Sequence, residues 1–129
     1  MELNVFMHND KARILIIEDD AVLRRGLARA FSSDEFEVLE FSDGKEAVDS
    51  LTDRLPELIL CDYRLPGMNG FGVLNHLREG QRKIPFVLMT AYYSGEMAQE
   101  ALARGAAAII EKPIDLAQLK TCCAELVAK

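Results

Sequence analysis

Residues 58–70 read LILCDYRLPGMNG, and the fold turns on how that stretch is understood. A short apolar run stops at a carboxylate, Asp62, and gives way to a polar loop punctuated by Pro66, Gly67 and Gly70. A run of this length between turn residues suits a strand covered on both faces. A carboxylate at the mouth of such a strand has three uses: it closes a turn, binds a cation, or attacks as a nucleophile.

The same pattern recurs on either side. With the opening run (57–61, ELILC), residues 12–17 (ARILII), 85–89 (PFVLM) and 106–110 (AAAII) are short apolar runs, and 36–41 (FEVLEF) is mixed, as an edge strand would be. Helical spacing fills the intervals. Leu23, Leu27, Ala30 and Phe31 form one stripe, and Leu116, Leu119, Cys123 and Leu126 form another near the C-terminus. Asp43 and Glu46 make a capping pair ahead of Ala47, Val48 and Leu51. Residues 70–79 and 94–104 supply two more helices, the last closed by Gly105. Five strands alternating with five helices imply one domain with a parallel sheet and helices on both sides. Residues 1–11 fall outside the pattern and are expected to form a loose arm.

Composition narrows the function. With 129 residues and a net charge of −6, the chain suits one domain and is not built to coat nucleic acid or anionic membrane. No apolar run approaches the length of a membrane span, and the acidic start MELNVFMHNDK is not a secretory leader, so a cytoplasmic location is expected. Cys61, Cys122 and Cys123 have no metal-ligand spacing and read as reduced thiols. His8, in the arm, and His76, on a helix, lack partner ligands and read as chemically idle.

In doubly wound folds, ligands bind at the carboxyl ends of the strands. Glu18, Asp19 and Asp20 follow the first strand, Asp62 ends the third, Thr90 the fourth, and Glu111, Lys112 and Pro113 the fifth. Crowded carboxylates repel unless a cation joins them, and oxygen ligands at a wet edge suit Mg²⁺. Each residue alone has a plainer use: Asp19 or Asp20 as a helix cap, Asp62 in an Asx-turn, Thr90 as the next cap, Lys112 as a solvated loop charge. Together they form a constellation that four independent coincidences explain poorly.

These residues resemble the receiver domain of bacterial two-component response regulators. The resemblance rests on ILIIEDD (14–20), LILCDYRLPGMNG (58–70), VLMTA (87–91) and GAAAIIEKPI (105–114), with 43 residues from Asp19 to Asp62, 28 on to Thr90 and 22 on to Lys112. It implies a (βα)5 doubly wound α/β domain over residues 12–129, its five-stranded parallel sheet in order 2-1-3-4-5. It further implies a regulatory phosphoacceptor, not an enzyme beyond its own phosphorylation and slow dephosphorylation. Asp62 would take the phosphoryl group from a sensor histidine kinase or a histidine phosphotransfer protein. Glu18, Asp19, Asp62 and the backbone carbonyl of Arg64 would hold Mg²⁺ or Mn²⁺. Thr90 and Lys112 would contact the phosphoryl group, with a cis peptide bond before Pro113. Output would run through the fourth helix, fifth strand and fifth helix to an unidentified effector or a homodimer partner, without nucleic-acid or membrane binding by this domain.

Three positions bear on how such a domain would work. The family usually carries an aromatic three residues before the lysine, where this chain has Ile109, so the usual ring rotation has no ring to move. Arg64 and Tyr92, two residues beyond the acceptor and the threonine, are bulky neighbours of the attacking water and candidates for prolonging the phosphorylated state. The chain also fits the receiver portion of a longer transcription factor or hybrid kinase. A flavin- or nucleotide-binding domain fits worse, because EDDAVLRR after the first strand would repel a phosphate. An aspartyl-phosphate phosphatase would need an aspartate where Arg64 stands.

Overall fold

A computed structural model describes residues 11–33, 36–52, 54–80 and 82–128. The elements alternate as expected: β1 (Ala12–Ile17), α1 (Ala21–Phe31), β2 (Phe36–Phe41), α2 (Gly44–Asp49), β3 (Leu58–Asp62), α3 (Gly70–Glu79), β4 (Phe86–Thr90), α4 (Gly95–Ala103), β5 (Ala108–Glu111) and α5 (Leu116–Ala128). The strands lie parallel in the order β2-β1-β3-β4-β5. Apart from Lys11, the expected N-terminal arm lies outside the described residues, as does His8.

Continuous apolar runs conceal a period of two. Leu15, Ile17, Ile59, Cys61, Phe86 and Leu88 face one way, into a core shared with α2, α3 and α4. Ile14, Ile16, Leu58, Leu60, Val87 and Met89 face the other way, against α1 and α5. Burial on both faces is why polar alternation is absent. Truncating one fully buried leucine such as Leu60 or Leu74 costs about 2–5 kcal/mol, so each face contributes several times the margin of a single contact.

Local chemistry sets the helix ends. Asp20 caps α1, its Oδ1 accepting from the amides of Val22 and Leu23, and Asp43 caps α2 by accepting from Glu46 N–H at 2.8 Å. Asn69 caps α3 and Ser94 caps α4, so Thr90 is relieved of that duty. Gly105 closes α4 at φ +103°, and a Cβ there would meet Arg78 Nε at 2.7 Å. Among the described residues, no helix is long and apolar enough to cross a membrane.

The apolar runs stop at residues 61, 89 and 110, and the strands run one residue further, to Asp62, Thr90 and Glu111, which keeps Asp62 and Thr90 at strand ends as expected. Backbone pairing sets these ends: Tyr63 N–H donates to Met89 O and Lys112 N–H to Thr90 O, both at 2.8 Å. β5 also begins later than the apolar run, because Ala106 N–H is taken by Ala101 O at the end of α4 and pairing with β4 starts only where Ala107 N–H reaches Phe86 O. Leu116 is not part of the apolar stripe of α5. It opens the helix and is 41% exposed. Ile114 packs against the core instead.

Candidate functional site

The site lies along the carboxyl edge, where β1 and β3, adjacent in the sheet, end side by side. Glu18 follows β1 and is 1% exposed, Asp62 ends β3 at 5%, and Thr90 ends β4 fully buried. These are the buried polar residues among those described. Asp19 stands exposed beside them, and one carboxylate oxygen from each of Glu18, Asp19 and Asp62 falls within 4.8 Å of the others. Asp20, next in line, is spent on the cap of α1.

Lys112 enters from beyond β5. Its Nζ lies 2.8 Å from Glu18 Oε1 and 3.0 Å from Asp62 Oδ1, so it is not a solvated loop charge. The Lys112–Pro113 peptide bond is cis. Burial raises the carboxyls of Glu18 and Asp62 above their ordinary range, against the lowering effect of Lys112. Burial would depress Lys112, but bonds and charge from Glu18 and Asp62 outweigh it and hold the ammonium protonated more tightly than usual. Three carboxylates facing one ammonium leave an excess of two negative charges, the charge of one divalent ion. The donor set is all oxygen, so it fits a hard cation such as Mg²⁺ or Mn²⁺.

Thr90 Oγ1 accepts the Tyr92 amide at 2.9 Å, which leaves its own proton for another acceptor. Arg64 and Tyr92, expected as separate bulky neighbours, meet: the guanidinium carbon lies 4.9 Å from the centre of the Tyr92 ring. A cleft of about 410 Å³ opens beside Asp19, lined also by Tyr63, Arg64, Leu65, Pro66 and Asn69. Ile109 packs partly buried against the core and lines a second depression with Tyr93, Lys112 and Gln118. His76 sits exposed on α3, away from this edge.

The cysteines stay out of the chemistry. Burial, with Asp62 and Glu18 nearby, raises the Cys61 thiol well above its usual value, and burial pushes Cys123 up to about 12. Both are neutral filler at ordinary pH.

One residue at this edge escaped the sequence. Arg24 on α1 donates from Nη1 to the backbone carbonyl of Glu18 at 2.9 Å and from Nε to Glu40 Oε1 on β2 at 3.2 Å. As one of two adjacent arginines on an amphipathic helix, it carried no signal separating it from a solvated charge.

A five-stranded parallel sheet in this order, with acids, a hydroxyl and an amine gathered on its carboxyl edge, defines a doubly wound domain of the flavodoxin-like class. The family model for the response regulator receiver domain matches residues 14–124, and the chain belongs to that family. It is 39% identical over 107 residues to regulatory protein AtoC of Escherichia coli (strain K12), which covers 83% of this chain and 23% of that protein. It is 32% identical over 114 residues to sporulation initiation phosphotransferase F of Bacillus subtilis (strain 168), covering 88% of this chain and 90% of that one. Among solved structures, the signal receiver domain of a putative Luxo repressor protein from Vibrio parahaemolyticus matches with a TM-score of 0.87 at 26% identity, over 92% of this chain and 91% of that one.

Proposed function

We propose that this receiver domain is a switch thrown by phosphorylation of Asp62. The observation that carries the reading is a buried carboxylate held at 3.0 Å by Lys112 and flanked by two further acids. An Asp62 oxygen attacks the phosphorus of a phosphohistidine, on a sensor histidine kinase or a phosphotransfer protein. The new O–P bond forms as the P–N bond breaks, leaving an acyl phosphate on Asp62 and the electron pair on the imidazole nitrogen. With acetyl phosphate, the leaving group is acetate. Glu18, Asp19, Asp62 and the Arg64 carbonyl are the residues that would hold Mg²⁺ or Mn²⁺. The bound ion supplies charge neutralisation to the phosphoryl oxygens during transfer. Lys112 contacts one phosphoryl oxygen and the Thr90 hydroxyl donates to another.

The domain acts as a regulatory phosphoacceptor whose only catalysis is its own phosphorylation and slow dephosphorylation. Residues 12–129 form the receiver and 1–11 its N-terminal arm, working in the cytoplasm. Output runs through α4, β5 and α5 to an effector or a second copy. Ile109 offers no ring, so movement of loops and helices takes over the task of the usual aromatic. The stacked pair Arg64 and Tyr92 screens the acyl phosphate from water. Replacing both with alanine should shorten the phosphorylated half-life several-fold, followed by decay of the adduct; an unchanged half-life removes the screen from the reading.

A second reading keeps the receiver and lengthens the protein. The chain spans 23% of AtoC and 90% of the sporulation phosphotransferase, and it fits a receiver carried on a longer polypeptide as well as one standing alone. The full open reading frame decides it.

The test is intact mass after incubation with Mg²⁺ and acetyl phosphate, beside Asp62→Asn and a metal-free control. One added phosphoryl group that requires both Asp62 and Mg²⁺ supports the switch. Absence of any adduct, with acetyl phosphate and with a panel of phosphorylated histidine kinases, overturns it.

A further inference from the structure

Arginine–glutamate pairs reach β2 at both ends of the strand. At the amino end Arg13 Nε meets Glu37 Oε1 at 3.1 Å, from paired positions on β1 and β2. At the carboxyl end Arg24 Nε meets Glu40 Oε1 at 3.2 Å. The ion pairs are alike in distance and partner strand. They differ in what else the guanidinium holds.

Arg24 reaches the main chain of the acidic loop. Its side chain is 14% exposed, and its Nη1 takes the Glu18 carbonyl while Nε takes Glu40. The other side of Glu18 is also committed, since its N–H donates to Phe41 O at 3.0 Å. Glu18 Oε2 accepts from Asp20 N–H at 3.2 Å, and Asp20 in turn caps α1 and accepts Arg24 N–H on its carbonyl at 2.9 Å. The guanidinium therefore closes a ring of bonds running from β2 through Glu18 and Asp20 to α1 and back. Asp19 lies at the crest of that ring, exposed, with a carboxylate oxygen within 4.8 Å of those of Glu18 and Asp62.

The geometry points to Arg24 as a positioning residue for the divalent cation: it fixes the Glu18 carbonyl so that the carboxylates of Glu18 and Asp19 are already convergent before the ion arrives. This rests on the metal reading given under the proposed function and extends it to a residue outside the ligand set. A loop ordered in advance loses less freedom on binding, and partners that orient ligands commonly carry a large share of metal affinity. A planar fork is required, because one group must satisfy a carbonyl and a carboxylate in different directions.

The charge of Arg24 acts in the opposite direction, which makes the idea testable by sign. If the guanidinium mattered only as a positive charge near the acids, its removal would strengthen cation binding. If it orders the loop, removal weakens binding.

The experiment is calorimetric titration of the full chain with MgCl2, with a thermal melt of each variant to show that it is folded. Arg24→Met is expected to weaken Mg²⁺ binding about tenfold. Arg24→Lys keeps the charge and the fold and should still lose most of that affinity, because a single amine cannot serve both acceptors. Glu40→Ala should weaken binding less, and combining it with Arg24→Met should add nothing. Arg13→Met, which breaks the matching pair at the far end, should leave Mg²⁺ affinity unchanged. Faster amide exchange at Asp19 and Asp20 in Arg24→Met would show the loop released. Unchanged or tighter Mg²⁺ binding by folded Arg24→Met or Arg24→Lys overturns the inference while the metal reading stands. No Mg²⁺ binding by the unaltered chain overturns the metal reading, and the inference with it.

Discussion

The two edges of the sheet each hold a cation among oxygens, and they use it differently. At the amino edge, Arg78 donates to the carbonyls of Arg82, Ile84 and Gly105 at 2.5, 3.2 and 2.7 Å, tying the end of α3 to the entries of β4 and β5. At the carboxyl edge, Lys112 joins Glu18 and Asp62. The partners of Arg78 are neutral dipoles, so one guanidinium satisfies them and the arrangement is complete. The partners of Lys112 are charged, desolvated and accompanied by Asp19, so one ammonium leaves them short. The amino edge closes its hydrogen bonding internally, while the carboxyl edge is left with an excess of negative charge.

The sharpest test of that contrast is to remove each cation in turn. Without metal, Lys112→Met should lower stability by about 3 kcal/mol, since it strands two buried carboxylates. Arg78→Met should cost about 2 kcal/mol, as its carbonyls recover only part of their hydrogen bonding from water. Urea midpoints measured with and without Mg²⁺ separate the two. Mg²⁺ should recover part of the Lys112 loss and none of the Arg78 loss, and equal recovery would break the comparison.

A smaller effect of opposite sign is expected at Asp62. Its buried charge strains the metal-free protein, so Asp62→Asn should raise stability by about 1 kcal/mol at neutral pH, read from the same urea curves.

The pH dependence sharpens this further. Folding raises the carboxyls of Asp62 and Glu18 above their ordinary values of 3.8 and 4.5. The folded state therefore binds these protons more tightly, and the stability they contribute is present below those values and lost as pH rises through the elevated ones. The advantage of Asp62→Asn should shrink as pH falls toward 4, and the rise in melting temperature produced by Mg²⁺ should vanish over the same window. Lys112, also raised, keeps its contribution through neutral pH and loses it only above its ordinary value of 10.5. The smallest effect falls on Leu116. Leu116→Ala should change stability by less than about 0.5 kcal/mol in a thermal melt, because the side chain is exposed and belongs to neither packed core.

Much of the fold was legible because its signals are local. The strand runs, the caps Asp20 and Asp43, and the closing Gly105 depend on a few neighbouring residues and survive translation into three dimensions. The acids and Thr90 were legible as a set because a parallel sheet brings every carboxyl end to one edge. The errors mark where local signals stop. The start of β5 followed backbone pairing and not hydropathy, since Ala106 is held by the end of α4. Leu116 had the right spacing and the wrong height, since periodicity gives the face of a helix and not how far the core extends along it.

By itself, then, the sequence determined the alternation of elements, the strand-end acids and the family to which the chain belongs. All of these follow from residue type at short range and from order along the chain. Only the tertiary structure decided which cation neutralises which acid. It brought Lys112 onto Glu18 across 94 positions, stacked Arg64 on Tyr92, and gave Arg24 a carbonyl to hold. Those pairings depend on side-chain direction and desolvation at the sheet edge, and neither exists until the strands have assembled.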